Sequence, residues 1–141
     1  MLTAKTTDSD LMQVWLDSDP DNSRLRVTFP INKWAGSRDS AVVYFEIEPG
    51  DRLARHTDSA EEVLYVVSGE AEAEIGDEMG RITTGDLAVI PAMVPHGLVN
   101  VGDKPLKIVG FFSESEIIST FEEPMQPIGA SVLNQGAPAP A

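Results

Sequence analysis

This 141-residue chain contains only two histidines. Each stands in a segment punctuated by carboxylates, glycines and prolines at set distances. The first segment reads Gly50-x5-His56-x-Asp58-x3-Glu62-x6-Gly69, and the second reads Gly85-x5-Pro91-x-Met93-x2-His96-x3-Asn100. Residues two apart in a strand face the same way, so His56 and Asp58 share a face wherever that stretch is extended. Glu62 opens the next β-forming run with Leu64 and Val66 on its face, while His96 follows Pro91 and Pro95, which stiffen its approach. Brought together, two imidazoles and two carboxylates form a donor set for a divalent cation. Left without a metal, Asp58 and Glu62 in close quarters would titrate as a coupled pair, with one member displaced upward into a range useful for proton transfer. An isolated histidine is more often a solvated or hydrogen-bonded side chain than a ligand. Here the chain's whole complement of histidines falls in the two segments, which argues for one shared site.

Strands must carry these residues. Alternation over Ala41 to Glu48 puts Val43, Phe45 and Ile47 on one face and Tyr44, Glu46 and Glu48 on the other, closed by Pro49-Gly50-Asp51. The runs Glu62–Val67 and Glu70–Ile75, separated by Ser68-Gly69, read as a hairpin; Arg81–Thr84, a turn at Gly85-Asp86, Leu87–Ile90, Gly97–Val101 and Leu106–Phe112 supply further strands. Short strands at intervals of about 8 to 12 residues, divided by Gly, Pro and Asp, predict an all-β sandwich or small barrel. The same parity turns Val43, Phe45, Ile47, Leu64, Val66, Ala71, Ala73, Ile75, Ile108 and Phe112 inward, with the alanines leaving room for a modest apolar ligand. Phe45, Leu64, Ala73, Met93 and Phe112 are the expected substrate pocket. Arg52 shares the parity of His56 and would either meet an anionic group at the rim or stand as a surface charge, and Glu61 should lie in solvent. Gly50, Gly69 and Gly85 read as turn glycines and Asn100 as a residue that bonds backbone. Ser9 to Trp15 fits a short helix or an edge strand, Ile117–Phe121 a final strand, and Gln135 to Ala141 a disordered tail.

Composition narrows the function classes. One ordinary core fits this length, and 10 basic residues against 23 acidic give a formal net charge of −13, a field that repels nucleic acid and anionic membranes. The absence of cysteine excludes disulfides, thiolate ligands and cysteine nucleophiles. The first ten residues lack the apolar run of a signal peptide, and no stretch of about 18 apolar residues occurs, so a cytoplasmic protein is expected.

The two spaced segments resemble the paired signature motifs of the cupins, over about Ser40 to Phe112. Two positions depart from the pattern: Asp58 stands where the family usually has a second histidine, and Met93 where it has a glycine. The resemblance implies a single-domain cupin-type double-stranded β-helix, a jelly-roll β-barrel over residues 35–115, with an N-terminal arm (1–34) and a C-terminal arm (116–141) that pair two chains as a homodimer. It also implies a metal site of His56, Glu62 and His96, with Asp58 as a weaker fourth ligand or as the holder of a bound water or of His56. Two carboxylates would neutralise a divalent ion and favour an oxygen-preferring metal, Fe(II) or Mn(II), with zinc, nickel or an empty site as alternatives. Three functions follow from the resemblance. The first is a metal-dependent enzyme of oxygenase (dioxygenase) type acting on a small organic molecule. The second is a non-redox isomerase, lyase or cyclase in which Glu62 and Asp58 move a proton, and the third is a non-catalytic binding module. Without a helix-turn-helix pattern, and with its acidic charge, the chain does not read as a transcription factor.

Overall fold

The computed structural model describes residues 1–6, 11–17 and 23–138. Its twelve strands are β1 Met12–Trp15, β2 Arg24–Ile31, β3 Ala41–Ile47, β4 Arg52–Asp58, β5 Glu62–Ser68, β6 Glu70–Ile75, β7 Glu78–Thr83, β8 Leu87–Ile90, β9 His96–Asn100, β10 Leu106–Phe112, β11 Ile117–Met125 and β12 Ala130–Gln135. They form two six-stranded antiparallel sheets in the orders β1-β2-β3-β10-β5-β8 and β12-β11-β4-β9-β6-β7. The sheets face one another as a jelly roll and are not joined by hydrogen bonding into one continuous barrel.

Alternation explains the layering. In β3, Val43, Phe45 and Ile47 are buried between the sheets, joined by Leu64 and Val66 of β5, Ala71 and Ala73 of β6, Leu98 of β9, and Ile108 and Phe112 of β10. Glu61 is exposed and Glu62 buried, as their opposite parity requires. Tyr44, on the other face of β3, is nevertheless 2% exposed. Burial and the hydrogen bond it donates to Glu46 push its phenol well above the ordinary value.

The structure corrects some expectations and completes others. β5 and β6 do not form a hairpin: β5 pairs with β10 and β8, and β6 with β7 and β9. One residue, Gly69, separates the two strands, too few for a hairpin turn, and the chain crosses there from one sheet to the other. Gly69 has φ 100°, and a Cβ on it would press on the Leu106 backbone at 3.0 Å, so only glycine allows the crossing. The strand expected at Ile117–Phe121 runs on to Met125 and returns as β12, so Gln135, expected in the tail, ends a strand, while residues 139–141 lie outside the described residues. Of the ambiguous stretch at Ser9 to Trp15, Met12–Trp15 is an edge strand, whereas Ser9 and Asp10 are likewise outside the described residues. The flanking segments 1–34 and 116–141 therefore contribute β1–β2 to one sheet and β11–β12 to the other. They meet where the backbones of Trp15 and Gln126 exchange hydrogen bonds of 3.0 and 2.8 Å.

Asn100 binds backbone as expected: its amide donates to the carbonyls of Ile47 and Lys104, both at 2.8 Å, and its carbonyl accepts from Gly102 N–H. Met93 keeps the backbone of a glycine, at φ 64°, and its N–H donates to the Asp58 carbonyl at 2.8 Å. A side chain with a Cβ is strained in that region. Met93→Gly is therefore expected to raise unfolding free energy by about 1 kcal/mol, relief of the left-handed strain outweighing the flexibility added to the unfolded chain. Urea denaturation of the two proteins measures the difference; a loss of stability would show that the methionine side chain contributes more than its backbone costs.

Candidate metal centre

β4 and β9 are neighbours in one sheet, and their register sets His56 opposite His96. The rings lie 4.2 Å apart between centroids. Each is anchored from behind: His56 Nδ1 lies 2.8 Å from the Ala54 carbonyl and His96 Nδ1 2.9 Å from the Val94 carbonyl. Carbonyls only accept, so each Nδ1 carries the proton and donates it, which turns Nε2 toward the interior. There the two Nε2 atoms stand 3.5 and 3.2 Å from the same oxygen, Oδ2 of Asp58. His56, Asp58 and His96 together offer ligand atoms all within 4.8 Å of one another, and all three residues are buried. Lone pairs converging on one point in an apolar interior repel unless a cation stands between them. The donor set therefore fits a divalent metal ion, with two nitrogens and one carboxylate as its core.

Glu62 approaches from the opposite sheet, its Oε1 3.8 Å from His96 Nε2, and it lies beside this triad rather than within it. Asp58, read from the sequence as the weaker fourth member, is the carboxylate in contact with both rings. Burial alone would raise the Asp58 carboxyl, but with no metal between them His56 and His96, when protonated at Nε2 as well, hold it well below the usual carboxylate range through hydrogen bonds and charge. Glu62 moves the other way: burial, then the negative charge of Asp58, pushes it well above its ordinary value.

Three contributors escaped the sequence reading. Ser119 of β11 donates to Asp58 Oδ1 at 2.5 Å, and Phe121, two residues on, stacks on the His56 ring at 4.5 Å and 13°. β11 lies against β4 with Ser119 opposite Asp58 and Phe121 opposite His56. Alternation of Ile117, Ser119 and Phe121 was a weak signal for one inward face; which strand they would join was not visible. Gly110 is the third. A Cβ there would strike the Glu62 carboxylate and come within 2.8 Å of Val43 Cγ1, so its absence makes the room that Glu62 occupies.

A chamber of about 860 Å³ opens from the triad, and His56, Asp58, Glu62, His96 and Ser119 form its polar end. Of the expected pocket, Phe45, Leu64 and Phe112 line it. Ala73 and Met93 do not: Ala73 is buried in the core on β6, and Met93 is 60% exposed, its left-handed backbone turning the side chain outward. Arg52 is half-buried in β4 and is also absent from the lining.

A family model described as the cupin domain matches residues 43–112, and the chain belongs to the cupins. An uncharacterized protein of Methanocaldococcus jannaschii is 27% identical over 110 residues, covering 77% of this chain and 87% of that one. The oxalate decarboxylase of Lactobacillus farciminis, in a formate complex, superposes with a TM-score of 0.64 at 24% identity. That match covers 75% of this chain and 32% of the decarboxylase, so this chain spans about a third of its solved relative. The Bacillus subtilis oxalate decarboxylase, described with Mn(II) centres, superposes at 0.60 with 20% identity, over 74% of this chain and 29% of that one. At these identities the two decarboxylases establish the fold alone. No helix among the described residues is long and apolar enough to cross a membrane.

Ser119→Ala should leave the fold intact yet weaken divalent metal binding by about 10- to 100-fold, because it removes the hydroxyl that holds Asp58. Competition with a metallochromic chelator measures the change; an unaltered affinity would show that Ser119 does not orient Asp58.

Proposed function

We propose that this cupin is a metal-dependent enzyme acting on a small organic molecule, with Fe(II) or Mn(II) held by His56, Asp58 and His96. The observation that carries the reading is the pair of histidines pinned through Nδ1 to backbone carbonyls, with both Nε2 atoms on one Asp58 oxygen. Two imidazoles and one carboxylate leave coordination positions open, the donor set of non-haem iron oxygenases, where the bound metal would bring oxygen and substrate together. The Mn(II) centres of the Bacillus subtilis relative support the choice of an oxygen-preferring metal. Ser119 and the Ala54 and Val94 carbonyls orient the donors, and the apolar chamber keeps bulk water from them.

A second reading rests on Glu62. Its carboxyl lines the chamber but lies outside the tight triad, where it can give or take a proton at the substrate. That suits a non-redox isomerase, lyase or cyclase. Metal content separates binding from its absence, and oxygen separates the two chemistries. Protein purified without chelators is expected to carry near one equivalent of iron or manganese, and His96→Ala to lose most of it while remaining folded. Full metal content in the variant would overturn the assignment. Oxygen uptake on substrate addition supports the oxygenase, turnover under strict anaerobiosis supports the acid–base enzyme, and saturable binding without turnover leaves a binding module.

We also propose that two copies pair through the outer face of β10, β5 and β8. Register aligns Phe111, Val63 and Val89 in one row and Val109, Tyr65 and Leu87 in the next. Tyr65, Leu87, Val89 and Phe111 are 39, 67, 56 and 49% exposed, on a chain whose net charge is −13. An apolar patch on so acidic a surface fits a self-complementary contact. Light scattering is expected to give about twice the 15.2 kDa chain mass, and Tyr65→Glu with Leu87→Glu to restore the monomer. A wild-type monomer at micromolar concentration would refute the pairing.

A further inference from the structure

The chamber is far larger than its metal-binding end requires, and most of its wall comes from outside the matched cupin segment. Eighteen of its 28 lining residues fall outside 43–112, on β1, β2, β11, β12 and the turns beside them. The charge on that wall decides what can enter. Its titratable side chains are His56, Asp58, Glu62 and His96, with no lysine or arginine among them. All ten basic residues belong to the described part of the chain, so none is left to reach the chamber from elsewhere. Several are paired with acids away from the lining: Arg26 with Glu46 and Glu48, Arg55 with Glu74, Arg81 with Glu70, Lys33 with Glu116. The walls are apolar and partly aromatic, with Phe29, Phe45, Phe112 and Phe121 on the lining.

Resting on the reading of the triad as a metal centre, we infer that the substrate is an uncharged, largely apolar molecule of several linked or fused rings. It presents one polar group to the His56–Asp58–His96 end and leaves its body against the phenylalanines. The physical reason is charge balance. The lining holds two acids and no lysine or arginine, so an incoming carboxylate or phosphate would shed its water among apolar walls and beside those acids, with no basic side chain to meet it. A neutral ring system loses little on entry, gains the apolar wall, and stacks on aromatic faces. A small dianion such as oxalate fits neither the size nor the charge.

A matched pair of fluorophores tests this on the full-length, metal-loaded protein: N-phenyl-1-naphthylamine, which is neutral, and 1-anilinonaphthalene-8-sulfonate, the same skeleton bearing an anion. The neutral probe is expected to bind once per chain, with blue-shifted emission, about tenfold or more tighter than the sulfonate. Oxalate and glucose 6-phosphate at millimolar concentration should not displace it. Ile128, in the β11–β12 turn, lines the chamber and is 50% exposed, so Ile128→Lys places a cation at the mouth without touching the core. That substitution should tighten the sulfonate about tenfold and shrink or reverse the preference. The inference is overturned by equal or tighter binding of the sulfonate to the wild type, by displacement of the neutral probe by oxalate or the phosphorylated sugar, or by the lack of saturable binding. It also fails if the probe binds several times per chain and ignores Ile128→Lys, which would place it on the outer sheet face. Repeating the titration on His96→Ala keeps the two readings apart. Selectivity that persists when metal is lost, or when the wild type proves to hold none, supports the substrate class whatever becomes of the metal assignment. Metal-replete protein that prefers the anion sinks this inference and leaves the metal centre standing.

Discussion

Two carboxylates buried between apolar sheets, beside two imidazoles whose free nitrogens also present lone pairs, are the feature around which this molecule is arranged. Asp58 and Glu62 are each 4% exposed. Left uncompensated, ionised groups at that depth cost several kcal/mol each, a large share of the stability of any small domain. The fold meets the demand locally. Ser119 donates to one Asp58 oxygen, the histidines turn toward the other, and their focus fits a cation that would complete the balance. Glu62 is accommodated by a missing side chain at Gly110 and by its own resistance to ionising.

The sheets divide the work. The matched cupin segment supplies the histidines and acids on β4, β5 and β9, while the flanking strands supply Ser119, Phe121 and most of the apolar wall. The Trp15–Gln126 backbone bridge ties β1 to the end of β11, so the two flanks close over the same chamber from opposite sheets. The candidate metal ligands thus come from the matched segment, while most of the chamber wall comes from outside it.

The site was readable where period-two alternation met a distinctive residue. His56 and Asp58 share a face because β4 is extended, and Glu62 is inward where Glu61 is not. Parity also placed Val43, Phe45, Leu64 and Phe112 correctly. It failed for partnership. Glu62–Val67 and Glu70–Ile75 look like a hairpin in one dimension, and only the pairing of β5 with β10 and of β6 with β9 reveals a crossing at Gly69. It failed again for Met93, whose left-handed backbone is invisible in a residue that rarely adopts it, and for Ala73, whose inward direction said nothing about whether the chamber extends to β6.

From the sequence alone came the all-β class, the inward faces, the four candidate ligands and the excess of negative charge, because alternation, turn residues and composition are local properties of a chain. The tertiary structure decided what meets across space. It set Asp58 rather than Glu62 at the focus of both rings, brought Ser119 and Phe121 onto β4, and kept every lysine and arginine off the chamber wall. The reason is that each of these depends on which strands lie side by side, and strand pairing between distant segments is fixed by the packing of the whole sandwich rather than by any stretch of residues within it.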